Sequence, residues 1–221
     1  MDVIGGLALV PPLGAPGETG MHYTNLGFVL LGQVLTQVHQ LPIAALMERE
    51  LISPLGLDST SLAFDEPAGL VPGYLELAGL PVDVSALPQA ALLSFAGSAG
   101  ALHSSSADLL TLLQALFRDR RLVQRSSLEH MQQPAEAGSW YGHALMRFCP
   151  CSAAPSEEAD GYSGYGHGGH LPGYWSVAVY YPELDLAVVI AINRDSVAGV
   201  PLDRSVFDPT LRAVVDLEAL G

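Results

Sequence analysis

From residue 26 onward the apolar positions Leu26, Val29, Leu30, Val34 and Val38 recur mostly at three- and four-residue intervals, which predicts a helix. Thr24 or Asn25 supplies its cap, so that Tyr23 and Asn25 stand at the mouth of the helix rather than inside it. A second helix is predicted with Pro42 in its first turn and Ala45, Leu46 and Leu51 on its buried face, broken at Ser53-Pro54-Leu55-Gly56-Leu57. Residues 61 to 100 carry little periodicity and many turn residues, among them Pro67, Pro72-Gly73, Pro81 and Pro88, and read as an irregular surface excursion. Between Ala107 and Phe117 the leucines at 109, 110, 112, 113 and 116 cover most of a helix circumference, which predicts a largely buried helix. Ser126-x-x-Glu129 has the form of a capping box for a short helix ending near Pro134.

After residue 140 the period changes from helical to alternating. Strands are predicted over Trp140 to Phe148, Trp175 to Tyr181 and Leu186 to Asn193, the last two joined by Pro182-Glu183-Leu184-Asp185. Pro155 to Gly164 is polar and glycine-bearing and reads as a mobile loop. Asp208 caps a closing helix with Pro209 in its first turn. The pattern therefore predicts an α+β chain, mainly helical over 21–135, with sheet strands and a C-terminal helix over 140–221.

Composition sharpens this picture in three ways. With 221 residues, 49% of them apolar, the chain is long enough for a sizeable core. The 23 acidic residues against 9 basic ones give a formal charge of −14, which repels nucleic acid and anionic lipid headgroups and leaves a small or neutral partner as the expectation. No apolar run approaches the roughly 18 residues of a membrane span. The N-terminal apolar stretch carries an acid where a signal peptide carries positive charge, so an exported form, periplasmic or secreted, needs a signal upstream of Met1; otherwise a cytoplasmic site is expected. Cys149 and Cys151 are too close for an ordinary loop-closing disulfide and too few for a zinc site, and are expected as thiols.

The candidate chemistry is acyl transfer, which needs a nucleophile, a group that takes and returns its proton, and donors aimed at the developing oxyanion. A tyrosine at a helix entrance can shuttle the proton when neighbouring cations lower its pKa, and Tyr23 is placed for this if His167 lies beside it. Asn25 can offer an amide to a substrate carbonyl. Gly168 and Gly169 remove side chains from a strand edge, so that a substrate backbone can lie there and a peptide N–H can face an oxyanion. Neither Tyr-x-Asn nor His-Gly-Gly carries much information alone.

Their order and surroundings do. Tyr23-Thr24-Asn25 opening a helix, Pro54-Leu55-Gly56-Leu57-Asp58-Ser59-Thr60, Ser98-Ala99-Gly100-Ala101-Leu102-His103-Ser104-Ser105-Ser106-Ala107-Asp108-Leu109 and His167-Gly168-Gly169 followed by Pro172-Gly173-Tyr174 succeed one another over residues 21 to 193. In this the chain resembles the serine β-lactamase and penicillin-binding-protein group: class C β-lactamases, D-alanyl-D-alanine peptidases and family VIII esterases. The resemblance implies a β-lactamase/transpeptidase-like fold, with about three strands of the family's larger antiparallel sheet. It implies Tyr23 as the proton-transfer residue and Asn25 as a substrate contact. It also makes His167 a cationic or hydrogen-bonding partner on the sheet edge, and the His170 backbone N–H one oxyanion donor. It implies a small-molecule ester, β-lactam or peptide substrate, and no metal or other cofactor.

One departure is as specific as the match. The chain contains no lysine, so the Ser-x-x-Lys nucleophile motif that the family places far upstream of Tyr-x-Asn is not among these 221 residues. Residues 1–221 are therefore expected to be an incomplete domain whose nucleophile belongs to a missing N-terminal segment, inactive on its own. The alternative is a catalytically dead family member that keeps the pocket for binding or scaffolding. Ser98, in Ala96-Gly97-Ser98-Ala99-Gly100, only approximates a nucleophile elbow and is expected to be structural. His103, His143, His167 and His170 lack the helical spacing and acidic or thiol partners of a metal site. The Arg118, Arg120 and Arg121 cluster is expected at a solvated helix end.

Overall fold

The computed structural model describes residues 21–62, 69–85, 87–88, 96–149, 162–197, 200–201 and 206–218. The stretch expected as a mobile loop falls mostly outside these, as do the apolar N-terminal residues and Pro67. Helix α1 (Asn25–His39) begins where expected: Thr24 is extended and its hydroxyl accepts from the Leu26 N–H at 3.2 Å. Helix α2 (Ile43–Leu55) runs three residues further than the sequence pattern indicates, through Ser53-Pro54, and stops at Gly56, whose φ of +64° is a left-handed cap. A π-type turn over Glu48–Ile52 interrupts the α-helical period; Leu46 before it and Ile52 at its end are buried, whereas Ala45, expected on the buried face, is exposed.

The segment read as irregular contains an exposed hairpin, β2 (Tyr74–Leu77) with β3 (Leu80–Asp83), after the short strand β1 (Ser61–Leu62). Strand β4 (Leu102–His103) returns to pair antiparallel with β1. Here the two motif segments meet. The Asp108 carboxylate, in the first turn of α3 (Ser106–Leu113), accepts from the Ser59 N–H at 2.9 Å and from the Thr60 hydroxyl at 2.7 Å. Helix α3 continues as a π-turn to Arg118, whose guanidinium pairs at 2.7 Å with Asp185, just after the Pro182–Leu184 turn. Helix α4 (Arg125–Gln132) starts one residue before Ser126 and has no side-chain cap; Glu129 instead pairs with Arg125 one turn back at 2.7 Å, so the capping box is corrected to an i,i+4 ion pair.

The main sheet has four antiparallel strands in the order β5 (Met146–Phe148), β6 (Gly164–Leu171), β7 (Tyr174–Tyr181) and β8 (Leu186–Ile192). Two differences from the sequence expectation matter. Of the strand expected over Trp140 to Phe148, residues Trp140 to Leu145 are a turn, with Gly142 N–H donating to the Leu145 carbonyl at 2.8 Å, and only Met146–Phe148 pair with β6. Strand β6, with four glycines among eight residues, has little intrinsic strand preference and is held by its neighbours. Its Gly166 is demanded by packing: a Cβ there would lie 1.9 Å from the Ala178 carbonyl oxygen of β7.

One face of this sheet packs on α3 and α4 through Leu113, Phe117, Leu128 and Tyr180, with the Phe117 and Tyr180 rings stacked 5.2 Å apart. The other packs on the closing helix α5 (Asp208–Glu218) through Val177, Val179, Val188, Leu211 and Val215. Asp208 lies in the first turn of that helix rather than at its cap. Phe207 and Leu211 are essentially inaccessible, and burying a side chain of this size stabilises the fold by about 1.5–3 kcal/mol. Cys149 is buried and disulfide-bonded, not the thiol expected from its spacing. Among the described residues no single helix is long and apolar enough to cross a membrane. Two short strands, β9 (Ser196–Val197) and β10 (Val200–Pro201), form a separate pair.

Candidate active site

Helix α1 and strand β6 converge on a cavity of about 160 Å³ lined by Tyr23, Phe28, Ala99, Tyr141, Ala144 and His167. Tyr23 enters it from the residue before the Thr24 cap, and the cap fixes where the phenol emerges. The ring of His167 enters from the middle of β6, 6.3 Å from that of Tyr23. Two residues widely separated in the chain thus face one space.

The sequence expectation left His167 cationic or hydrogen-bonding and had the Tyr23 pKa lowered by neighbouring cations; the shift runs the other way for Tyr23. Burial pushes His167 below the usual imidazole range, and burial pushes Tyr23 above the usual phenol range. Both directions favour the hydrogen-bonding role of His167 over the cationic one, and neither lowers the Tyr23 pKa as a charged imidazole would. The His167 tautomer follows from its partners: Nδ1 lies 2.5 Å from the Gly168 carbonyl oxygen, which can only accept, so Nδ1 carries the proton. Nε2 is left as the acceptor for the Tyr141 hydroxyl at 3.3 Å.

Tyr141 was not singled out by the sequence. It is 8% exposed and its burial carries its pKa up to about 12. Its ring meets those of Tyr23, Trp140 and His167 edge-on, at centroid distances of 5.3, 5.4 and 5.9 Å. The available signal was an aromatic pair followed at once by a glycine and then by a strand.

Asn25 is the first residue of α1 and is exposed; its amide makes no hydrogen bond among the described residues, and it does not line the cavity. Gly168 and Gly169 lie on β6 beyond the last residue that β5 covers, so this edge has no strand partner among the described residues. The Gly168 N–H reaches the Met146 sulfur at 3.4 Å, on the β5 side. Since successive N–H groups alternate, that of His170 is directed along the same edge, past the end of β5. A Cβ on Gly168 would meet only ordinary contacts, 3.8 Å from Ser176 O and 4.0 Å from the Met146 sulfur, so this fold's own packing does not require a glycine there. The His170 side chain stacks on Trp175 at 3.9 Å and lies 3.3 Å from Asp195.

Ser98 is accounted for by structure. Its hydroxyl donates to the Phe28 carbonyl at 2.8 Å, and Gly32 of α1 lacks the Cβ that would collide with it. His143 stacks on His130 at 4.1 Å, away from the cavity lining. Among the described residues no three of His, Cys, Asp and Glu converge as metal ligands.

Comparison with solved structures returns the same architecture. A D-stereospecific amidohydrolase from Streptomyces sp. is 29% identical, with a TM-score of 0.68, covering 83% of this chain and 53% of that one. A D-amino acid amidase from Ochrobactrum anthropi SV3 complexed with L-phenylalanine amide is 23% identical, with a TM-score of 0.70, covering 90% and 58%. A penicillin binding protein from Bacillus halodurans is 23% identical, with a TM-score of 0.71, covering 97% and 61%. The chain spans between 53% and 61% of the length of these three. The profile of the Beta-lactamase family matches residues 2–208, nearly the whole chain, and the protein accordingly belongs to that family, with its β-lactamase/transpeptidase-like fold.

Proposed function

We propose that these 221 residues form the acid–base and oxyanion side of a serine hydrolase that cleaves an amide or ester through an acyl-enzyme. The nucleophile comes from a segment outside them. Tyr23 transfers the proton, His167 stands beside it as a hydrogen-bonding group held by Gly168 and Tyr141, the His170 N–H is one oxyanion donor and Asn25 contacts the substrate. The observation that carries this reading is the meeting of Tyr23 and His167 in one cavity, beside a β6 edge whose Gly168 has room that the protein's own packing does not use.

Two further features support an external nucleophile. Leu31, Val34, Leu35 and Val38 form one stripe of α1 at i, i+3, i+4 and i+7, and they are 55, 55, 43 and 70% exposed. Exposed apolar patches of more than a few hundred Å² mark surfaces that another element covers. Strand β8, Leu186 to Ile192, is a sheet edge of seven apolar residues with no charge or proline, the kind of edge that proteins ordinarily pair or cover. A strand-and-helix segment would satisfy both.

The test is covalent labelling. A fluorophosphonate or penicillin probe should leave the 221-residue chain unlabelled and should label a longer native form upstream of Tyr23. Labelling of a serine within this chain would overturn the proposal, and a native form of 23.2 kDa that binds such ligands without capture would favour a pocket-retaining binding protein.

A further inference from the structure

Every part of the Tyr141 environment is built to hold it still. Its N–H donates to the Ser139 hydroxyl at 3.1 Å, and its carbonyl accepts from the Ala135 N–H at 2.8 Å and from the Ser139 hydroxyl at 3.1 Å. The Tyr141 backbone pairs with Met146 at the start of β5, and the neighbouring Trp140 carbonyl accepts from Arg147 at 2.8 Å. Gly142 is required for this turn to seat against the end of α4: a Cβ there would stand 2.4 Å from the Met131 carbonyl oxygen and 2.6 Å from that of Gln133. The ring is then closed in by Tyr23, Trp140 and His167. Side chains whose backbones are pinned in this way hold a neighbour's geometry far better than residues on free loops.

The hydroxyl at the end of this scaffold meets His167 Nε2, while the Gly168 carbonyl holds Nδ1. Both imidazole nitrogens are thereby occupied by partners on opposite sides of the ring. The titratable groups packed about the imidazole are Tyr23 and Tyr141. No cation faces it among the described residues.

We infer that Tyr141 is a positioning residue for His167, its hydroxyl fixing Nε2 as a hydrogen-bond acceptor and holding the ring beside Tyr23. With Nε2 engaged, His167 is a fixed wall of the site, and Tyr23 is the one phenol partly open to solvent, 44% exposed, through which a proton passes to and from the substrate. That last consequence rests on the hydrolase reading above; the positioning of His167 by Tyr141 does not.

The experiment reads the imidazole directly, so that it stands whether or not the protein turns over substrate. In the 221-residue chain labelled with ¹⁵N-histidine, long-range proton–nitrogen spectra should show His167 as the neutral Nδ1–H tautomer, with its Nε2 resonance displaced by a hydrogen bond. Tyr141→Phe keeps the ring and removes only the hydroxyl; it should move Nε2 by several parts per million toward the value of an unbonded acceptor. Tyr23→Phe should leave that resonance in place. An Nε2–H tautomer in the unsubstituted chain overturns the inference without any variant, and so does an Nε2 resonance that is the same with Phe as with Tyr at 141. Should Tyr141→Phe fail to fold, the Nε2 resonance of the unsubstituted chain decides: displacement by a hydrogen bond supports the inference, and the value of an unbonded acceptor overturns it. A correct His167 signature together with labelling of a serine within this chain would retain the positioning role while moving the nucleophile of the hydrolase reading into these residues; a correct signature with no labelling of any native form would retain the positioning role and remove the hydrolase reading.

Discussion

The sheet core and helix α1 are built from the same kinds of side chain and end in opposite states. On the sheet, Val179, Tyr181, Phe207 and Leu211 are at most 1% exposed because α3 and α4 close one face and α5 the other. On α1, fifteen residues without an Asp, Glu, Lys or Arg leave Leu31, Val34, Leu35 and Val38 facing solvent, though the opposite side of the helix is gripped by Ser98. The difference shows that apolar patterning specifies a face and not what covers it. Among the described residues, the sheet buries its apolar faces against helices of the same chain, and α1 leaves part of its apolar face exposed.

The comparison can be broken by substitution. The largest effect is expected inside the sheet: Gly166→Val places side-chain atoms into the Ala178 carbonyl, which is backbone and cannot move aside, and should cost more than about 4 kcal/mol or prevent folding, as read by chemical denaturation. Leu211→Ala, in the wholly buried face of α5, should cost about 2–5 kcal/mol. Val38→Ser, on the open stripe, should change stability by less than about 0.5 kcal/mol and make the isolated chain more soluble. A loss at Val38 as large as that at Leu211 would mean that the stripe is already covered in solution.

Titration sharpens the comparison more gently. Tyr141 has a folded pKa of about 12, above the ordinary phenol value of 10.0. Below that ordinary value its contribution to stability is intact. Above it the unfolded chain gives up the proton first, so stability falls as the pH rises toward 12. Absorbance titration should show a late phenol that Tyr141→Phe removes. His167 has the opposite sense: its folded pKa lies below 6.5, so its contribution is present above that value and is lost on acidification, when the unfolded chain binds the proton first. A smaller acid sensitivity in His167→Gln would confirm the assignment.

Much of the architecture was legible. The start of α1, the buried helix after Ser105, and the β7 and β8 strands all have strong periodicity or a capping residue, and the structure places them where the pattern does. Tyr23 and His167 were legible as motif residues, and both line the cavity. Strand β6 was legible only as an edge at His167, Gly168 and Gly169; its span was not read, because glycines carry no alternating pattern and its conformation is imposed by β5 and β7. Ala45 was placed on the buried face together with Leu46, but adjacent helical residues point about 100° apart, and only Leu46 faces the core. Tyr141 was missed because Ser139-Trp140-Tyr141-Gly142 resembles strand, whereas tertiary hydrogen bonds to Ala135 and packing on α4 make it a turn that aims a hydroxyl.

By itself the sequence determined the family, the order of helices and strands, and the absence of lysine, and with it the absence of the nucleophile motif, since these depend on residue identity and local period alone. Only the tertiary structure decided that burial lowers the His167 pKa, which nitrogen faces the Gly168 carbonyl, that Tyr141 meets the other, and that α1 has an exposed apolar face. The physical reason is common to all four. Charge state, tautomer and exposure are set by desolvation and by partners brought from distant parts of the chain, and no local pattern records them.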